Sequence, residues 1–330
     1  MAKIIYALNT DDRTGPANER DTFARDIMAG LSSGRKSIPA AYHYDAEGSR
    51  LFKRITELPE YYLTRCEIDA LERNREKIAA LMRDDFVNLI EFGPGDGCKT
   101  GNLIRHFLDQ RVKFRYVAMD ISVTALKQLA EDYRLRFPGL PVDCLVADYY
   151  SNRRMLKEHY RERNLALFLG SSIGNLNPVQ TRKFLHSLRR DLNDGDMIII
   201  GFDLVKKAEL IRKAYNDSQG VTAAFNFNLL ERINRELGGN FEVSRFRYVG
   251  EYDPDDSVVR SYLISLADQE VCISRIERSF HFNAEEPIHT EDSYKYRESD
   301  IEELAAQNGF HVRDHLYDSK GYFIVSIWET

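Results

Sequence analysis

From residue 86 onward, short runs rich in apolar and β-branched residues alternate with longer stretches in which apolar side chains recur every three or four positions. The runs "FVNLIEF", "FRYVAMDI", "VDCLVA", "LALFLGSS" and "MIIIGFDL" predict five strands, and "VTALKQLAEDYRL" and "TRKFLHSLRRDL" predict amphipathic helices among them. Strands divided by helix-length segments build βαβ units, and therefore a parallel sheet. Ser122 is placed to cap the first of these helices, Pro178 takes a first helical position in the second, and "NDGD" at 193–196 turns the chain into the fifth strand. The C-terminal stretch adds a helix, "SDIEELAAQNGF", with Gly309 suited to its C-terminal cap. Two β-rich runs follow, "HVRDHLYD" and "YFIVSIWE", and the short "SKG" between them permits only an antiparallel hairpin.

Five parallel strands, a helix and a terminal antiparallel hairpin resemble the order of class I S-adenosylmethionine-dependent methyltransferases, an α/β fold with a Rossmann-like sheet. Two regions stand outside that order. Residues 1–83 are mostly helical in pattern, with "SRLFKRITEL" and "TRCEIDALERNREKIAALM" as amphipathic helices, the second capped by Thr64. Residues 208–294 begin as helices, in "AELIRKAYNDS" and "TAAFNFNLLERINREL", then turn to strand-like alternation in "SVVRSYLISLAD" and "VCISRIERSFHF". An insertion after the fifth strand lies at the carboxyl edge of the sheet, where ligands bind in open α/β folds. The expected organisation is therefore a cofactor-binding domain of residues 67–207 and 295–330, with a second, α+β substrate-binding or lid domain of residues 1–66 and 208–294.

Composition narrows the class. The 330 residues are 43% apolar and 30% charged, with a formal net charge of -6, which offers no overall field for a phosphate backbone. The four cysteines, Cys66, Cys98, Cys144 and Cys272, form no metal-ligand spacing and no disulfide framework. No run of eighteen apolar residues and no leader pattern is present. These features lead us to expect a cytoplasmic, monomeric protein acting on a small molecule, without a metal, a nucleic-acid partner or a membrane.

The chemistry gathers at the ends of the predicted strands. In "IEFGPGDGCKTGNLI" the glycines are Gly93, Gly95 and Gly97, with Cys98 where a dinucleotide fingerprint needs its third glycine. Such a loop suits a cofactor without a pyrophosphate, an adenosine carrying an amino-acid tail, although a structural strand-to-helix turn uses glycines too. Asp120 ends "YVAMD", where a carboxylate beside the loop accepts from two ribose hydroxyls. Asp148, in "VADYY", is positioned for the exocyclic amine of adenine, with Tyr149 against the ring. Either Asp alone could instead cap the helix that follows. After the fourth run, "GSSIGNLNP" lacks the D/N-P-P-aromatic stretch of enzymes that methylate base amines of nucleic acids. Asn175 there offers both an acceptor and a donor, which suits an amino acid's amine and carboxylate, or else it caps the helix at Pro178.

Over nearly its whole length the chain resembles the histidine-specific Nα-methyltransferases of ergothioneine biosynthesis. The likeness is carried by "SIPAAYHYDAEGSRLFKRITELPEYYLTRCE", "IEFGPGDGCKT", "FLGSSIGNLNP", "AYNDSQGVTAAFNFNLLERINREL" and "IHTEDSYKYR". It implies that Tyr61, Asn175 and Tyr215 hold the α-amino and carboxylate groups, with Tyr61 and Asn175 orienting the reacting amine. It further implies that Tyr44 lines the substrate site and that Glu291 and Ser293 grip an imidazole. Cofactor roles are implied for Gly93, Gly95, Lys99, Asp120, Asp148 and Tyr149, with S-adenosyl-L-methionine consumed and S-adenosyl-L-homocysteine released. Ser261 stands where the family carries a larger apolar residue, which keeps another amino acid or small amine open as substrate. A non-catalytic module that binds the sulfonium nucleoside is a further alternative.

Overall fold

The computed structural model describes residues 3–6, 16–83, 85–147 and 159–330. In chain order the first elements are β1 (Lys3–Tyr6), α1 (Pro16–Leu31), α2 (Ala46–Glu57), α3 (Leu63–Arg73) and α4 (Arg75–Ala80). Next come β2 (Val87–Phe92), α5 (Cys98–Asp109), β3 (Phe114–Asp120), α6 (Val123–Arg136), β4 (Val142–Val146), β5 (Arg163–Phe168), α7 (Pro178–Asp191) and β6 (Met197–Asp203). The remainder comprises α8 (Ala208–Tyr215), α9 (Val221–Leu237), β7 (Phe246–Asp253), β8 (Val258–Ser265), β9 (Gln269–Ile273), β10 (Arg278–Phe282), β11 (Pro287–Tyr294), α10 (Glu298–Gln307), β12 (His311–Tyr317) and β13 (Phe323–Glu329). The chain forms two compact units, one of Met1–Asn9, Leu63–Val205 and Tyr296–Thr330, the other of Thr10–Tyr62 and Lys206–Lys295.

In the first unit a single sheet runs in the order β1-β4-β3-β2-β5-β6-β13-β12. β1 through β6 pair in parallel, whereas β13 runs antiparallel to both β6 and β12. This is the class I methyltransferase sheet with its terminal hairpin. Central strands β2 and β6 are buried along their whole length, as expected of strands covered on both faces. Their N-terminal ends are pinned by a buried amide chain: Asn88 donates to Asn164 Oδ1 at 3.1 Å, and Asn164 donates to both oxygens of Asp196 at 2.8 Å. Ser122 caps α6, and α7 opens with Pro178 behind Asn177, whose side chain forms a capping box with Gln180. The cap of α7 is thus Asn177 and not Asn175.

Two local expectations give way. The pattern over residues 1–66 places them wholly with the second unit, yet residues 3–6 pair with β4 as an edge strand of the large sheet. The helix expected from Thr64 onward is two helices, because the Asn74 side chain donates to the Ala70 carbonyl at 2.8 Å and its backbone leaves the helical region at φ -112. Thr64 lies inside α3, not at its cap.

The second unit is α+β. A three-stranded antiparallel sheet, β11-β8-β7, and the hairpin β9-β10 share a core with α1 and α9, including Phe23, Ile27, Leu230, Ile233, Leu263 and Phe282. At Gly250 of β7 an added Cβ would meet the Tyr248 hydroxyl at 2.9 Å and Tyr215 Cβ at 3.2 Å, so the bare backbone is what lets the end of α8 approach this sheet. Asn216 fixes that approach by accepting from Gly250 N at 3.1 Å and donating to Gly250 O at 2.8 Å. Among the described residues no helix is long and apolar enough to cross a membrane.

The tightest steric demand in the large sheet's crossover is at Gly97, which has φ +68 and whose added Cβ would fall 2.4 Å from Leu129 Cδ1 and 2.7 Å from the Tyr133 hydroxyl. Gly97→Ala is expected to cost about 2–4 kcal/mol through left-handed strain and overpacking. A lowered urea midpoint with an unchanged slope would show it.

Candidate active site

The glycine loop leaves β2 with all three glycines at positive φ: Gly93 at 65, Gly95 at 60 and Gly97 at 68. Gly93 N donates to Met119 O of β3 at 2.9 Å, and Tyr133 donates to Gly97 O at 2.7 Å, so both ends of the loop are held by neighbouring elements. Gly97 is bare for packing reasons. Gly95 is different, since among the described residues an added Cβ there would meet nothing within 4 Å. The loop therefore presents bare backbone at the carboxyl ends of the parallel strands.

Just before this loop, Glu91 is 2% exposed and accepts from Thr100 Oγ1 at 2.7 Å and from the Tyr116 hydroxyl at 2.5 Å. Its carboxyl ties the first turn of α5 to β3. Burial pushes its pKa up to about 7, against the opposing pull of the Thr100 and Tyr116 hydrogen bonds.

Lys99, in the first turn of α5, donates to Glu67 Oε2 at 2.6 Å, while the other Glu67 oxygen accepts from Gly170 N at 2.6 Å. Glu67 is 1% exposed and lies over β6 where Gly201 leaves room, an added Cβ there falling 2.3 Å from Oε1. One buried carboxylate thus joins α3, the start of α5 and the turn after β5. Beyond that turn, Ser171 holds φ +54 and accepts from Asp203 N through Oγ at 3.2 Å, and a short 3-10 helix, Ser172–Asn175, brings Asn175 to the carboxyl end of the sheet.

Asp120 closes β3, half-buried, and its Oδ1 accepts from Ser122 N at 2.8 Å. Ser122, not Asp120, is the cap of α6. Burial raises the Asp120 pKa, with backbone amides of Ser122 and Ile121 pulling the other way. Asp148 and Tyr149 lie outside the described residues.

The second unit assembles the remaining candidates. Tyr215, at the end of α8, has its hydroxyl 2.7 Å from Ser293 Oγ, and the ring of Tyr61 lies 6.3 Å from that of Tyr215, edge on. Tyr44 is 43% exposed and packs its edge on Phe225 and Phe52. Glu291 stands directly opposite Ser261 in the β11–β8 ladder, and Ser293 two residues on opposes Val259, so Glu291, Ser293 and Ser261 share one face. Ser261 is buried with Oγ 3.2 Å from the Tyr248 hydroxyl. Burial lifts the Glu291 pKa to about 7, with the positive charge of Lys295 opposing.

Lys295 and Glu67 escape the sequence reasoning. Lys295 is 3% exposed, and its ammonium donates to the Tyr215 hydroxyl at 2.7 Å and to Ser293 Oγ at 2.9 Å. Both had a signal: Lys295 continues the every-second-residue series of Glu291 and Ser293, and Glu67 interrupts the apolar stripe of Leu63, Cys66, Ala70 and Leu71.

Comparison with known proteins identifies the family. A family profile described as "Histidine-specific methyltransferase, SAM-dependent" matches residues 23–330. The chain belongs to this family. It is 35% identical over 308 residues to a protein of Mycolicibacterium smegmatis named histidine N-alpha-methyltransferase, covering 93% of this chain and 94% of that protein. A protein of the same name from Mycobacterium tuberculosis is 34% identical, with 92% and 93% covered. Ergothioneine biosynthesis protein 1 of Schizosaccharomyces pombe is 31% identical over 84% of this chain, which spans 36% of that longer protein. Like its family, this methyltransferase is an enzyme whose methyl donor is S-adenosylmethionine.

Two outcomes test the glycine loop and the buried carboxylate that precedes it. Gly95→Ala is expected to retain the fold, at about 1–2 kcal/mol of left-handed strain, while weakening binding of S-adenosylhomocysteine at least tenfold by calorimetry. For Glu91, a folded pKa of about 7 against an ordinary 4.5 means that the native state holds the extra proton between those values. Its contribution to stability therefore falls as pH rises across that window and is level above it. Urea titrations at several pH values should show Glu91→Gln gaining on the wild type from about pH 4.5 to about pH 7.

Proposed function

We propose that this methyltransferase acts on the α-amino nitrogen of L-histidine, three times in succession, to give the trimethyl betaine hercynine, the first step of ergothioneine synthesis. The observation that carries the reading is the pairing of Glu291 and Ser293 on one face of β11, beside the buried Tyr215 and Lys295. A carboxylate and a hydroxyl two residues apart on a strand match the two nitrogens of an imidazole. The full-length likeness to proteins named histidine N-alpha-methyltransferase supports it.

S-adenosylmethionine, when bound, supplies a methyl carbon made electrophilic by its sulfonium. In this reading Gly93 and Gly95 bring bare backbone to the adenosine, Asp120 accepts from the ribose hydroxyls, and Asp148 and Tyr149 serve the adenine. Lys99, anchored by Glu67, holds the start of α5 in place for the amino-acid tail. Tyr61, Tyr215 and Asn175 hold the substrate's amine and carboxylate, with Tyr44 at the rim. The amine needs a lone pair; a peptide α-amino group's ordinary pKa is about 8 and a free amino acid's is higher, so the proton is lost to water, favoured by the field of the sulfonium cation, while Tyr61 and Asn175 orient the nitrogen. Neither Tyr61 nor Asn175 carries a charge that would fix the amine as an ammonium, which leaves the nitrogen able to turn between transfers.

Ser261 supports a second reading. A small hydroxyl opposite Glu291 leaves more room than a large apolar side chain, and a bulkier amino acid is the substrate it would favour.

Purified protein with histidine and S-adenosylmethionine is expected to give a product three methyl groups heavier by mass spectrometry. Glu291→Gln is expected to raise the KM for histidine by about 10- to 100-fold, the loss of one hydrogen bond to a charged acceptor, with a smaller change in kcat. Efficient methylation of another amino acid, with histidine untouched, would refute the substrate assignment and leave the methyl donor standing.

A further inference from the structure

Lys295, Tyr215 and Ser293 form a closed triangle of polar atoms: the ammonium is 2.7 Å from the phenol oxygen and 2.9 Å from the serine oxygen, and those two oxygens are 2.7 Å apart. The two hydroxyls bring two hydrogens to it, and the ammonium can only donate. One hydroxyl hydrogen is therefore spent between the two oxygens. Either oxygen can be the donor by geometry; the phenol, with an ordinary pKa of about 10, is the more acidic partner and the better donor, which favours Tyr215 donating to Ser293. Ser293 Oγ then receives from Lys295 and from Tyr215, which occupies both its lone pairs. What remains to it is its own O–H.

From this we infer that Lys295 is a positioning residue that sets the direction of hydrogen bonding in the side-chain pocket, making Ser293 a donor beside the acceptor Glu291, so that the enzyme takes its substrate's ring as one tautomer of the neutral imidazole. The inference rests on the histidine reading above. A ring with one N–H toward Glu291 and one bare nitrogen toward Ser293 satisfies both groups. An imidazolium, with N–H on both sides, would set a donor against a donor and a cation near the Lys295 ammonium, and a buried mismatch of that kind is costly. Among the described residues, the charged and titratable groups acting on Glu291 include Lys295, Asp292 and His289. Those acting on the adjoining Tyr248 hydroxyl are Glu291, Tyr215 and Asp217.

The test compares histidine with 1,2,4-triazolylalanine, an isostere that offers an N–H and a bare ring nitrogen and stays uncharged across the working range. Steady-state methylation of each is measured from about pH 5.5 to about pH 8.5, which spans the imidazole's ordinary pKa of about 6.5. Ionisation of the amine and of Glu291 affects both substrates alike and cancels in the ratio of their KM values. That ratio, histidine over triazolylalanine, is expected to be near one at about pH 8 and to rise toward tenfold per unit below about pH 6.5. Lys295→Met frees a lone pair on Ser293, lets it accept from an imidazolium, and is expected to flatten the ratio, whereas Lys295→Arg keeps a donor and the slope. A role confined to holding the fold would weaken both substrates equally and leave the slope unchanged, which would overturn the assignment to Lys295. A ratio independent of pH in the wild type, or rejection of triazolylalanine at every pH while histidine is methylated, would overturn the neutral-ring inference without any variant. Failure to methylate histidine at any pH would instead remove the substrate reading on which the inference stands.

Discussion

The first unit depends on one buried carboxylate. Glu67 sits over the parallel sheet in a space that only a glycine at position 201 leaves open, and it draws the Lys99 ammonium and the Gly170 amide to its two oxygens. Removing a partner from such a buried pair leaves an uncompensated charge, which is why this kind of contact constrains geometry more than it adds net stability. Through Glu67 the helix after the glycine loop and the turn that carries Asn175 take their positions from the same atom group. The loop's left-handed glycines then need only hold their own local shape.

The second unit uses a different constraint toward a similar end. Gly250 lets α8 come close enough for Tyr215 to meet Ser293, and Asn216 locks that approach with two backbone hydrogen bonds. Four hydroxyl-bearing residues, Tyr215, Ser293, Tyr248 and Ser261, are thereby linked to one another and to the Lys295 ammonium by hydrogen bonds, Tyr248 through both the Tyr215 carbonyl and Ser261. Polar groups arranged in this way can be committed in direction, because every donor and acceptor already engaged restricts what a neighbour is able to do.

Much of this was legible in the residues. The alternation of apolar runs and amphipathic stretches yielded the central strands, the cap at Ser122, the first helical position at Pro178, and the terminal hairpin, because those signals are local. Pairing of β1 was not legible, since four residues on a sheet edge carry too little periodicity to stand out. The break at Asn74 was missed because a side chain returning to a carbonyl four residues back leaves no mark in hydropathy. Lys295 was missed for a related reason. An exposed charge and a buried one look the same in sequence, and "TEDSYKYRES" reads as a solvated turn until Tyr215, eighty residues earlier, is seen beside it. Glu67 likewise marks only a break in an apolar stripe until Gly201 is seen to lie beneath it.

The second unit is built from two stretches, Thr10–Tyr62 and Lys206–Lys295, with most of the first unit between them in the chain. During synthesis α1 emerges long before α9 and the antiparallel strands that share its core, whereas β2 to β6 of the large sheet follow one another within residues 87–203. The newborn chain must therefore carry an uncovered hydrophobic surface past the birth of the parallel sheet, a period in which long-range closure is slow and association with other chains is a hazard. Slowed translation or a holding chaperone would bear mainly on this second unit.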